Sequence, residues 1–159
     1  MTVKIDSFLS KYTGGFIPQE TFIDILKKQM DGEKYYDLSD EDYGETIRNY
    51  NEYQLRESEW AEVISYQNQG KTYEKQQLLE QAADSYEKAI VIGESSPRII
   101  INNYFHSIER LAVVYRKLKR YDEEIRVVSI GLQHQHEGFA DSYFEKLRKR
   151  LSKAESLLK

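Results

Sequence analysis

Residues 58–93 read SEWAEVISYQNQGKTYEKQQLLEQAADSYEKAIVIG, and this stretch decides the fold. Trp60, Val63, Tyr66, Gly70 and Tyr73 recur at steps of three and four, the spacing of one helix face. A second run through Ala82, Tyr86, Ala89 and Ile90 keeps that spacing and ends near Gly93. The small residues carry as much information as the large ones. A glycine on the first helix lets the partner backbone come close, an aromatic ring fills the wedge beside it, and alanines on the second helix let a further pair stack. Two antiparallel helices are the expectation.

Sliding the chain by 42 residues sets Gly70 on Ala112, Tyr73 on Tyr115, Ala82 on Glu124, Tyr86 on Val128 and Ala89 on Gly131. Three of those pairs keep their character, small on small twice and aromatic on aromatic once. The first copy, Tyr66-x2-Gln69-Gly70-x2-Tyr73 followed by Ala82-x3-Tyr86-x2-Ala89, resembles the tetratricopeptide pattern. The second, Ile108-x2-Leu111-Ala112-x2-Tyr115 with Tyr121 and Ile125, resembles it too.

The resemblance implies an all-α fold, antiparallel helix hairpins stacked as a short superhelix over roughly residues 60–135. N-terminal helices precede the pairs and a capping helix follows them. There are departures. Glu124 stands where the pattern has alanine and Val128 where it has an aromatic. The period exceeds the usual value of about 34, so the first helix of the second pair, or the connection to it, is longer. Two pairs are few for a free-standing array, so flanking helices or a homodimer must supply the missing neighbours.

Upstream, Val3, Ile5, Phe8 and Leu9 form a short apolar pattern that Gly14-Gly15 breaks. Pro18 and Glu20 open a helix through Phe22, Ile25, Leu26 and Met30, with Gly32 as its stop. Ser39-Asp40-Glu41-Asp42 pairs an N-cap residue with acids that suit the positive helix end, and Tyr43, Ile47 and Tyr50 mark the face that follows. Residues 1–58 thus read as an acidic helical segment of two or three helices, and 59–159 as the repeat pairs and cap, together one continuous domain. Downstream, Ser96 and Pro97 predict the start of a long helix to about Lys119, and another spans Asp122 to about Gln133. Phe139, Tyr143, Leu147, Leu151, Ala154 and Leu158 form the stripe of one terminal helix.

Composition excludes several kinds of chemistry. The 159 residues include no cysteine, which removes disulfides, thiol nucleophiles and cysteine-based metal centres. The N-terminal stretch lacks the apolar core of a signal peptide, and the longest aliphatic run, Ala89-Ile90-Val91-Ile92, is far too short to span a bilayer. A cytoplasmic protein without a membrane segment is expected. Residues 1–60 carry seven Lys/Arg against thirteen Asp/Glu, and residues 61–159 sixteen against fourteen. An acidic front disfavours general nucleic-acid binding, which needs net positive surface.

No phosphate loop, nucleophile elbow, paired-carboxylate motif or zinc-protease signature is present, so no enzyme and no cofactor is expected. His134-Gln135-His136-Glu137 has metal-ligand residue types but no further ligand group, and reads as a surface turn. Lys146, Arg148, Lys149, Arg150 and Lys153 read as the solvated face of the terminal helix. Most of the thirteen tyrosines sit at core spacing on helices and read as buried rings with hydroxyls reaching water.

By the resemblance, first helices of successive pairs line a concave groove for an extended peptide or a helix. That puts Ile64, Gln67, Lys71, Glu74 and Lys75 on the first wall and His106, Glu109, Val113, Arg116 and Lys117 on the second. Lys71, Lys75, Arg116 and Lys117 make the groove basic, which points to an acidic peptide or C-terminal carboxylate as ligand. The function this implies is a non-catalytic adaptor or regulator. A peptide-responsive transcription regulator, and an acidic inhibitor using residues 37–59 to mimic nucleic acid, are the alternatives.

Overall fold

A computed structural model describes residues 1–137 and 141–159. In chain order the elements are β1 (Thr2–Lys4), α1 (Ile5–Tyr12), α2 (Gln19–Met30), β2 (Tyr35–Asp37), α3 (Asp40–Lys75), α4 (Leu79–Ser95), a 3-10 turn (Ile101–Asn103), α5 (Phe105–Lys117), α6 (Tyr121–Leu132) and α7 (Asp141–Leu158). The fold is all-α apart from one small two-stranded sheet among the described residues. The chain forms two compact units, Met1–Arg56 and Glu57–Lys159.

In the first unit, β1 and β2 pair antiparallel with Val3 opposite Tyr36. Ile5, Phe8, Leu9, Tyr12, Ile17, Ile25 and Leu38 form its core, with Tyr43, Ile47 and Tyr50 of α3 packed against it. Ser39 accepts the Asp42 N–H at 3.1 Å, as an N-cap does. Gly32, at φ +82°, ends α2. The strands were not expected. Three residues each are too few to show an alternating pattern.

The second unit begins within α3, which is one continuous helix from Asp40 rather than the two separate helices that the patterns at Tyr43 and Trp60 suggest. All ten residues of the 42-residue alignment are buried except Tyr73, which is half-buried. Gly70 faces the ring of Tyr86, which is fully buried and bonds Glu74 through its hydroxyl at 2.6 Å. Gly93 faces Tyr104, and Gly131 faces Leu147 and Ile108, so each crossing closes over a missing side chain.

A Cβ at Gly70 would lie 2.6 Å from Tyr86 Cε1. Gly70→Ala therefore destabilises the unit: overpacking costs about 1–3 kcal/mol against the ~1 kcal/mol that alanine returns in helix propensity. Urea unfolding measures the loss. Tyr86→Leu in the same chain should recover part of it, whereas simple additivity of the two substitutions would show that the crossing is not tight.

The repeat extends to the backbone of the turns. Gln77 and Lys119, themselves 42 residues apart, both adopt the left-handed conformation at φ 58° and 59°. Leu78 N–H bonds the Tyr73 carbonyl and Arg120 N–H that of Tyr115, both at 2.9 Å. Gln77 N–H bonds Glu74 and Lys119 N–H bonds Arg116 in the companion position. Both hairpins close with the same C-terminal cap.

The connection between pairs differs from expectation. Ser96 does not cap a helix at Pro97, since its hydroxyl donates to Glu59 and accepts the Arg98 N–H. Ile99 and Ile101 are buried two residues apart, a spacing that extended backbone satisfies and a helix does not. The extra length of the repeat thus lies in this connection, and α5 starts only at Phe105. In α7 the buried positions are Phe144, Leu147 and Ala154, while Tyr143 and Leu158 are exposed. Phe139, expected on that stripe, lies outside the described residues.

Candidate functional site

Helices α3, α5 and α7 occupy the place of first helices in successive pairs. Between α3 and α5, Ser107 donates to the side chain of Gln67 at 2.8 Å, and Arg110 grips Glu74 through Nε at 3.1 Å and Nη2 at 2.6 Å. Gln67 and Glu74 therefore hold the two walls together. Lys71, Lys75, His106 and Lys117 are exposed, and Ile64 is 38% exposed. Burial holds His106 below the usual histidine range, and the charges of Lys71 and Arg110 add to this.

Glu109, Val113 and Arg116 fall together in a cavity of about 400 Å³ between α5 and α7, with Leu147 beneath. Of its other cations, Lys146, Lys149, Arg150 and Lys153 read from sequence as the solvated face of the terminal helix rather than as part of a site, and nothing in the sequence singles out Arg110. A signal existed: the terminal basic residues recur at steps of three and four, the spacing of one helix face.

Arg116 is held from behind. Glu124 of α6 is fully buried and accepts from Arg116 Nε and Nη2 at 3.0 and 2.7 Å and from Arg150 Nη1 at 3.0 Å. Arg116 also donates to the Arg150 carbonyl at 3.1 Å. The residue that departs from the repeat pattern is thus the pin joining α5, α6 and α7. In Glu109, burial raises the carboxyl pKa, with Lys146, Arg110 and Arg150 opposing.

His134 lies just after α6, its Nε2 2.7 Å from Glu94 and its Nδ1 2.7 Å from Glu137. Tyr104 donates to the same Glu94. Partial burial alone would lower the His134 pKa, but the two carboxylates together raise it. Its stabilising contribution is therefore complete below the unfolded value of about 6.5 and is lost as pH rises through the higher folded value. His134→Gln should cost most stability near pH 6 and progressively less toward pH 8. Equal costs at both ends, by urea unfolding, would show that the histidine is not charged in the fold. Among the described residues no group of three or more His, Asp or Glu is placed to hold a metal ion.

Two hairpins crossing over glycine and alanine, closed by identical turns and followed by a further helix, define a helical-repeat scaffold. Residues 63–92 match the family model for the tetratricopeptide repeat. The chain is a tetratricopeptide-like helical repeat protein. Neither a curated protein nor a solved structure shows significant similarity to it. Repeats of this family are protein-interaction modules and typically carry no catalysis. No helix among the described residues is long and apolar enough to cross a membrane.

Proposed function

We propose that the protein is a non-catalytic, cytoplasmic adaptor or regulator that binds an acidic peptide segment of another protein along α3 and α5. What supports this most is that α3 and α5 are tied side by side, Ser107 to Gln67 and Arg110 to Glu74, so that the lysines of both helices face one surface. Lys71, Lys75 and Lys117 remain exposed there, while Ile64 and the half-buried Val113 offer apolar contact. Glu74 and Arg116 serve the scaffold, so the ligand meets the lysines.

Fluorescein-labelled acidic peptides, with free or amidated C-termini, test the reading by anisotropy. Lys71→Glu with Lys117→Glu should weaken binding by about tenfold or more, since each reversal replaces an attraction by a repulsion. Arg116 is left intact because its loss would unpair Glu124. Unchanged affinity in a variant whose circular dichroism is also unchanged rules the surface out.

A further inference from the structure

The α5–α7 cavity carries more positive charge than an ordinary acidic side chain needs. Six cations line it: Arg110 and Arg116 on α5, and Lys146, Lys149, Arg150 and Lys153 on α7. Four carboxylates belong to the same network. Glu109 is in the lining, Glu74 holds Arg110, Glu124 holds Arg116 and Arg150, and Glu145 lies 3.5 Å from Lys149. Six against four leaves two positive charges, in a concavity of about 400 Å³, within the size range of small ligand sites.

The arginines are fixed before any ligand arrives. Their bonds to the two glutamates use Nε and Nη2 of Arg110 and Arg116 and Nη1 of Arg150. A guanidinium has five N–H donors, so each retains further donors while lining the cavity. Lys146, Lys149 and Lys153 are exposed on the facing helix and add mobile point charges. Val113 and Leu147 supply an apolar floor.

We propose that this cavity receives a phosphoryl group carried on a peptide segment of a partner protein, a phosphoserine or phosphothreonine. A phosphomonoester brings roughly −1.5 to −2 charge at neutral pH and three acceptor oxygens, which matches two surplus charges and a set of held arginines. A single carboxylate fills half of that balance. The proposal rests on the reading of the first-helix surface as the ligand face, and it adds α7 to that face.

The probe is a degenerate peptide library with a central phosphoserine, compared with the same library carrying serine or glutamate there. The intact chain should retain the phosphorylated library about tenfold or more over the serine one, and Lys146→Glu with Lys153→Glu should abolish the difference. Both lysines are exposed, so the fold survives, and Lys27→Glu, exposed on α2 and part of neither proposed surface, serves as the control that leaves the preference intact. Equal retention of the phosphoserine and glutamate libraries, both lost in the double variant, overturns the phosphoryl assignment but leaves an acidic-peptide surface standing. Phosphoserine preference that persists in the double variant overturns the cavity. Inorganic phosphate or pyrophosphate competing as well as the phosphopeptide overturns the peptide as source. No retention of any acidic or phosphorylated library removes the underlying surface as well.

Discussion

Glu124→Ala destabilises the repeat unit by about 3 kcal/mol, the low end of what breaking a buried ion pair costs. The carboxylate is fully buried, and its removal leaves the Arg116 and Arg150 guanidiniums facing each other without a counter-charge. They are 31% and 27% exposed and so recover some hydration, which keeps the cost from the top of the range. For a unit of this size that corresponds to a fall of roughly 10–20 °C in midpoint. Trp60, the single tryptophan, lies in this unit and reports its unfolding by fluorescence. The triple change Glu124→Leu, Arg116→Leu, Arg150→Leu should regain much of the loss, because a packed apolar trio escapes the desolvation of three charges. If the single substitution leaves the midpoint unmoved, the three-helix pin is not what joins α5, α6 and α7.

Phe144→Ala costs about 3–5 kcal/mol, whereas Tyr143→Ala costs about 1 kcal/mol. Phe144 is fully buried and packs edge-on against Phe105 at 5.8 Å, so its removal leaves a cavity among α5, α6 and α7. Tyr143 also meets Phe105, at 5.5 Å, but is 40% exposed, and water replaces much of what it leaves. Urea unfolding of the two variants in the full chain separates them. A larger loss at Tyr143 would mean that α7 is rotated by one residue from the arrangement described.

That pair of neighbours shows where sequence reading reaches its limit. Steps of three and four are satisfied by Tyr143-Leu147-Leu151-Ala154 and equally by Phe144-Leu147-Leu151-Ala154. Periodicity finds the helix and its approximate face, but neighbouring aromatics at the edge of a stripe are told apart only by the ring they meet. The candidate surface was half legible for a related reason. Glu109, Val113 and Arg116 follow from the repeat, but the cations of α7 belong to the same cavity only because α7 packs where a further first helix would. Read along the chain alone, they form an ordinary solvated face.

Glycine and alanine at Gly70, Ala82, Ala89 and Ala112 were enough to define a stack of hairpins, since only small residues allow backbones to cross closely. The absence of cysteine also excluded disulfides. Three features needed the tertiary structure. Gln77 and Lys119 take the left-handed turn with no glycine to announce it, because the helices on either side impose the geometry. Ser96-Pro97 forsakes a helix start because burying Ile99 and Ile101 together outweighs a local preference for capping. Glu124 is buried because Arg116, across the α5–α6 turn, and Arg150, from α7, converge on it. Local spacing encodes which face of a helix is apolar, but a buried charge is settled only by what the rest of the chain brings to it.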